Sequence, residues 1–213
     1  MPDRRARRSA EIRERLFRAA LDLFAAKGFA ETTVEDITEA ADVGKGTFFN
    51  YFPSKDHILL AFGEMQLAKL EAAIEEARRK NEPIPQFLRS LGARMIQEPT
   101  RHPAIVRTLL QAFLSTTAVR QAMLDMQKRV QALHAQIMQL GQEQGEIRKD
   151  LPAVELGYVF RQALLGTLLI WSLSGDAPLH SRIETAFDVL WSGLAPRNSA
   201  PQDNVVPLWT LGD

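Results

Sequence analysis

TTVEDITEAADVGKGTFFNYFPSK, residues Thr32–Lys55, reads as a short helix, a tight turn, a second short helix and the approach to a third. Thr33 has the chemistry of an N-cap, and Asp36, three residues on, can close a capping box with it. Val34, Ile37 and Ala41 then recur at helical spacing and give that helix one apolar face. Asp42-Val43-Gly44 breaks it and turns Val43 into the core. A second helix, Lys45 to Tyr51, follows at once. Two short helices joined by so tight a turn are the geometry that lays a recognition helix in the DNA major groove.

The second helix is too short to bury more than one side. Phe48 and Phe52, four apart, take the core side. Lys45, Phe49 and Asn50 are left toward solvent. An exposed aromatic beside a lysine and an amide suits a surface that meets phosphate, thymine methyls and base edges. Gly44 and Gly46 remove side chains where the backbone can come close to a phosphate.

Outward from this stretch the pattern stays helical. Ser9 to Lys27 carries Ile12, Leu16, Ala20, Leu23 and Phe24 on one side, with Ser9 as cap and Gly28 as stop. Burial of Phe24, Ile37, Phe48 and Phe52, at about 1.5–3 kcal/mol each, drives a three-helix unit together. Ser54 is placed to cap a long helix running to Lys80, about 40 Å at 1.5 Å per residue, long enough to link a DNA-reading head to a separate body. Pro83 and Pro85 break the pattern. Helices are then expected over Phe87–Ile96, Pro103–Leu114, Val119–Leu140, Ala153–Ser174 and Ser181–Leu194, with a polar connector over Gly141–Pro152. No useful run alternates with period two, so no sheet is expected. The fold class is all-α, with about nine helices. Residues 1–56 form a helix-turn-helix DNA-binding domain with a basic N-terminal arm. Residues 57–195 form a helical ligand-binding and dimerisation domain. Residues 196–213, with Pro196, Pro201 and Pro207, form a loose tail.

VGKGTFFNYFPSKDHIL, residues Val43–Leu59, resembles the hallmark of TetR/AcrR-family transcriptional regulators, commonly near V-S-K-G-T-L-Y-x-Y-F-x-S-K-E-x-L. The upstream amphipathic helix and GFAETTVEDITEAADV are similar to that family too. The resemblance is specific over residues 9–62 and architectural beyond. Gly44 stands where the family commonly has serine and Phe49 where it has tyrosine, removing two hydroxyls. The resemblance implies that Thr33, Lys45, Gly46, Thr47, Tyr51 and Lys55 hold phosphates and set register, while Gly44, Phe49 and Asn50 approach base edges.

The 213 residues carry 46% hydrophobic and 24% charged side chains, ordinary for a soluble globular chain. Lys plus Arg and Asp plus Glu each number 26, so a DNA surface requires segregated charge. It is segregated at the start, where Arg4, Arg5, Arg7 and Arg8 face only Asp3. That block reads either as a solvated arm or as an arm that meets DNA. There is no cysteine, which excludes disulfides, thiol nucleophiles and cysteine-ligated metals. No secretory leader opens the chain, and the apolar run Ala163–Leu173 is shorter than a bilayer span, so a cytoplasmic location without membrane partner is expected.

Two late apolar helices have two readings: core of one chain, or a face that pairs with a twofold mate as a four-helix bundle. The interface set is Leu156, Phe160, Ala163, Leu164, Thr167, Trp171, Ile183, Phe187, Leu190 and Trp191, with Gly157 and Gly166 permitting close helix approach. A homodimer also follows from the small footprint of one recognition helix, which calls for two half-sites on a roughly palindromic operator. The resemblance implies release from DNA by a small molecule. Met95, Phe113, Met123, Met126, Met138, Tyr158 and Gln162 are the pocket residues, suited to a largely apolar ligand, unless they are plain core. Arg107 and Arg161 are available to a carboxylate. The chain is read as a ligand-responsive repressor on double-stranded DNA, with no cofactor and no metal. The competing readings are a helical module that binds DNA without sequence choice, and an enzyme. Against the latter, His57, His102, His134 and His180 show no metal-protease spacing, and neither a nucleophile elbow nor a P-loop occurs.

Overall fold

The computed structural model describes residues 4–97, 103, 106–108, 117–174 and 178–196. They form α1 (Arg4–Lys27), α2 (Val34–Ala40), α3 (Lys45–Phe49), α4 (Asp56–Lys80), α5 (Ile84–Met95), α6 (Thr117–Gln144), α7 (Ala153–Ser174) and α8 (Leu179–Leu194). No strand occurs among the described residues. The expected helix Pro103–Leu114 lies largely outside them, as does the tail from residue 197.

In α1, Leu16, Phe17, Ala20, Leu21 and Phe24 are buried, and Gly28, at φ +89°, ends the helix. The start differs from expectation. The helix opens at Arg4, and Ser9 is an exposed interior residue, not a cap. Nothing between Arg4 and Ala10 breaks a helix, and arginine and alanine are strong helix formers. Arg7 also pairs with Glu11 one turn on, at 3.6 Å.

The first short helix stops in a Schellman arrangement. The Val43 N–H donates to the Thr38 carbonyl at 3.0 Å and the Asp42 N–H to that of Glu39 at 3.1 Å. Asp42 adopts φ +50°, where glycine is the usual residue. The chain then leaves α2 with Val43 packed on the core and Gly44 free to start α3.

At α4 the Ser54 hydroxyl donates to the Asp56 carboxylate at 3.2 Å and lies 2.9 Å from His57 Nδ1, so it does not cap the helix backbone as expected. Ile58, Leu59, Phe62 and Leu67 of α4 join the first core cluster with α1, α2 and α3, while Leu70, Ala73, Ile74 and Ala77 join a second with α5 to α8. One rigid rod therefore belongs to both cores. Pro83 and Pro85 begin α5 instead of breaking a pattern. The Ile84 N–H that opens this helix donates to Glu146 at 2.6 Å, a cap supplied from across the fold.

α6 runs past Gly141 to Gln144, and Gly145, at φ +76°, ends it. Gly141 is a packing glycine: a Cβ there would lie 2.6 Å from Ile147. α7 packs back along α6 and against α8. α7 crosses α6 closely at Gly157, whose Cβ would sit 2.9 Å from the backbone of His134 and Ala135. Gly157 thus serves a contact within one chain, while Gly166 has open space beside it. Arg148 closes the body: its guanidinium holds Asp150 and the Gly193 carbonyl, and its N–H donates to the Leu194 carbonyl at 2.8 Å.

Gly157→Ala is expected to lower stability by about 1–3 kcal/mol, because backbone cannot yield as a side chain can. Gly193→Ala, with nothing within 4 Å of the added carbon, is expected to leave the melting temperature unchanged or raise it. Thermal melts of the two variants check this.

Candidate nucleic-acid interface

A five-residue helix cannot hold itself in water, so the orientation of α3 is imposed by what it buries. Phe48 is fully buried, and Phe52 lies against it with ring centroids 5.8 Å apart. Phe49 stacks edge-on against Phe48 at 5.4 Å, yet keeps 49% of its surface exposed. Lys45, Gly46 and Asn50 are exposed beside it, and Thr47 is half-buried. The outward set is the one that the spacing of Phe48 and Phe52 predicts.

Gly44 serves as the N-cap of α3 with its carbonyl accepting from Thr47 N–H at 2.9 Å. At both Gly44 and Gly46 an added Cβ would meet nothing within 4 Å, and neither has positive φ. The fold itself makes no demand for glycine at these two positions, so bare backbone is presented outward.

The cations around α3 are held by specific partners. Lys45 pairs with Glu35 of α2. That hydrogen bond holds the Glu35 carboxyl below the usual glutamate range. Both ends are solvent-exposed, so the pair is weak and exchangeable. Thr33 forms the full capping box: Asp36 N–H donates to its hydroxyl at 3.1 Å, and its own N–H donates to the Asp36 carboxylate at 2.7 Å. Lys27 adds an ion pair to Asp36 at 2.6 Å. The Lys27 ammonium first, then the Thr33 groups, hold this carboxyl well below the ordinary aspartate range.

Lys55 is turned inward. Its ammonium donates to the carbonyls of Phe29, Ala30 and Thr32 at 2.7, 3.2 and 2.9 Å, and lies 4.6 Å from the Phe29 ring centroid. Its three donors fasten the loop between α1 and α2. Tyr51 is half-buried and packs on the first core cluster. Glu35 and Arg13, whose guanidinium sits 5.3 Å over the Phe52 ring, were not legible as site neighbours, because each meets its partner only through the tertiary fold.

The expected pocket residues are scattered. Met123 and Met126 are in the first core cluster, Met138 is in the second, and Met95 packs on the second. The Met126 methyl fills the space a Cβ at Gly63 would take. Phe113 lies outside the described residues. Tyr158 and Gln162 are exposed on the outer side of α7 and line no interior. Arg107 donates to the Ser172 carbonyl.

The late helices need a similar correction. Leu156, Phe160, Ile183 and Phe187, expected at an interface, are buried in the chain's own core. Ala163, Leu164, Thr167, Trp171, Leu190 and Trp191 are half-buried. The outer face of α7 is instead Tyr158, Val159, Leu165, Ile170 and Leu173, joined by Val189 of α8. α7 is apolar nearly all round, so periodicity did not mark which side turns in. Its 22 residues also have the length and composition of a membrane span, longer than the run read from sequence.

Residues 16–62 match the family described as bacterial regulatory proteins, tetR family. The transcriptional regulator TcmR of Streptomyces glaucescens is 45% identical over 74 residues, which cover 33% of each chain. The regulator EthR of Mycolicibacterium smegmatis is 27% identical over 163 residues, covering 72% of this chain and 71% of EthR. The fold is similar to that of Thermus thermophilus FadR, a TetR-family repressor solved with lauroyl-CoA, at TM-score 0.65 and 29% identity over 89% of this chain and 98% of FadR.

Lys55→Met is expected to lower the stability of the chain by about 1.5–3 kcal/mol, the scale for charged hydrogen bonds. Because the Asp36 carboxyl is depressed in the folded state, its contribution is complete above the unfolded aspartate pKa of about 4 and is lost as pH falls below it. Asp36→Asn is expected to flatten that part of the stability–pH curve between about pH 4 and pH 2. Urea melts across that range check both.

Proposed function

This chain belongs to the TetR family of bacterial DNA-binding transcriptional regulators, and we propose that it works as a homodimeric repressor released from a palindromic operator by a small apolar effector. The observation that carries the DNA-reading part is α3, with Phe48 buried and Lys45, Phe49 and Asn50 turned outward. In this reading Gly44, Phe49 and Asn50 approach base edges. Lys45, Gly46, Thr47, Tyr51 and Thr33 stand at the phosphates, with Lys45 exchanging Glu35 for a phosphate oxygen. Lys55 acts indirectly, by holding the loop that positions α2. Residues 1–56 serve as the DNA-binding unit and 57–195 as the effector and dimer unit, joined through α4.

The outer face of α7 supports the dimer. Tyr158, Val159, Leu165, Ile170 and Leu173 make this exposed face largely apolar, with Gln162 among them, and Gly166 leaves room for another helix. A second copy pairing there as a four-helix bundle also accounts for α7 without a bilayer, since Glu155 and Arg161 interrupt it. The effector is apolar because the side chains on the body's inner faces are. An acyl-CoA is the first compound to test, given the lauroyl-CoA bound by the FadR relative. Such a molecule switches the protein only if it prefers the DNA-incompetent spacing of the two heads. The protein acts where the chromosome is, in the cytoplasm, and carries out no catalysis.

Selection from a random duplex pool tests the reading. The expected product is a palindrome with half-sites about one helical turn apart. Lys45→Ala is expected to weaken binding equally on all sequences and reduce the salt slope by about 1 per protomer, while Asn50→Ala changes the preferred base. Val159→Arg with Ile170→Glu is expected to give monomers in light scattering. No enriched sequence, or an unchanged dimer, would count against it.

A further inference from the structure

We infer that Glu35 is a built-in competitor of the duplex: its carboxylate holds the Lys45 ammonium in the place of a phosphate and so limits the affinity of the head for DNA. This rests on the DNA-reading assignment of α3 and deepens it, by giving an acidic residue of α2 a part in how tightly α3 binds.

The charge of the helix-turn-helix points to this residue. Residues 31–50 carry five carboxylates, Glu31, Glu35, Asp36, Glu39 and Asp42, and a single cation, Lys45. Glu31, Glu35, Glu39 and Asp42 are exposed, while Asp36 is half-buried and held by Lys27. A surface of this sign repels a polyanion. Lys45 is the one charged side chain in the segment that can neutralise a phosphate, and it is bound to Glu35. Lys27 and Lys55, the next cations along the chain on either side, are held as well, by Asp36 and by three loop carbonyls.

The pair is not needed as a strut between the two helices. Phe48, fully buried, sets the rotation of α3, and the bonds from Val43 and Asp42 back to Thr38 and Glu39 fix the turn before it. Lys45 and Glu35 keep 56% and 63% of their side chains exposed, and a pair so exposed adds little to stability. Binding therefore exchanges one anion on Lys45 for another. What the phosphate contact gains is reduced by the loss of Glu35, and the released carboxylate then faces the backbone with its own charge. Neither side of the exchange involves a base. Glu35 sets affinity and leaves base preference to Gly44, Phe49 and Asn50.

The test uses the full-length protein, the selected operator and a scrambled duplex of equal length, with affinities from fluorescence anisotropy at one salt concentration. The wild type is compared with Glu35→Gln, Lys45→Ala and the double variant, and Glu39→Gln serves as a control for charge alone. Glu35→Gln is expected to bind both duplexes about two- to fivefold more tightly, with the operator-to-scramble ratio unchanged. Its melting temperature should be unchanged or slightly lower. In the Lys45→Ala background the same substitution should gain no more than Glu39→Gln does, because no ammonium is left to release. A purely structural pair would give weaker binding instead. Unchanged or weaker binding by Glu35→Gln, a gain on one duplex alone, or a gain as large without Lys45 as with it overturns the competition and leaves the repressor reading standing. A wild type without preference for any duplex overturns the repressor reading, while the same comparison on the scrambled duplex still decides the competition.

Discussion

Burial of Phe48 is the constraint from which the rest of the head follows. α3 has five residues and no capping side chain, so nothing local keeps it helical. The fully buried ring, backed by Phe52, Phe24, Leu16 and Ile37, fixes its rotation about its own axis. Once that angle is set, the exposure of Lys45, Phe49 and Asn50 is a matter of geometry. The capping box at Thr33 and the positive-φ turn at Asp42 hold the preceding helix at the matching angle, and Lys55 ties the loop before it. Each of these contacts is worth little alone. Together they make a short helix behave as a rigid probe.

The second constraint is that α4 belongs to both cores. Phe62 and Leu67 pack with the head, and Ile74 and Ala77 pack with α5 to α8. A rod shared in this way ties the packing of the body to that of the head. Met126 of α6 is pressed on Gly63 of α4, where the body meets that rod. Methionine is a fitting side chain there, since it can repack around a new neighbour without breaking a hydrogen bond.

The head was largely legible in the sequence because its signals are local. Thr33 with Asp36, Phe48 with Phe52, and Gly28 after Lys27 each act within one or two turns, and the structure places them as their spacing suggests. The body was legible in its helix content but not in its faces. α7 carries apolar residues on nearly every side, so the sequence offered no phase from which to tell Phe160 in the core from Val159 outside it. Ser9 and Ser54 look like caps by residue type, yet helix-forming arginines extend α1 past one, and a local carboxylate and imidazole engage the other. Lys55 and Glu35 were out of reach for another reason. Their partners lie far along the chain or on a neighbouring helix, and no local pattern records that.

The claim at the centre is that α3 meets the duplex with the side turned away from Phe48. Hydroxyl-radical footprinting of the protein, read residue by residue with and without operator duplex, tests it most directly. Phe48 should be unreactive in both states, and Phe49 should be reactive in the free protein and protected in the complex. Equal reactivity of Phe49 in both states, alongside saturated DNA binding, would contradict the account.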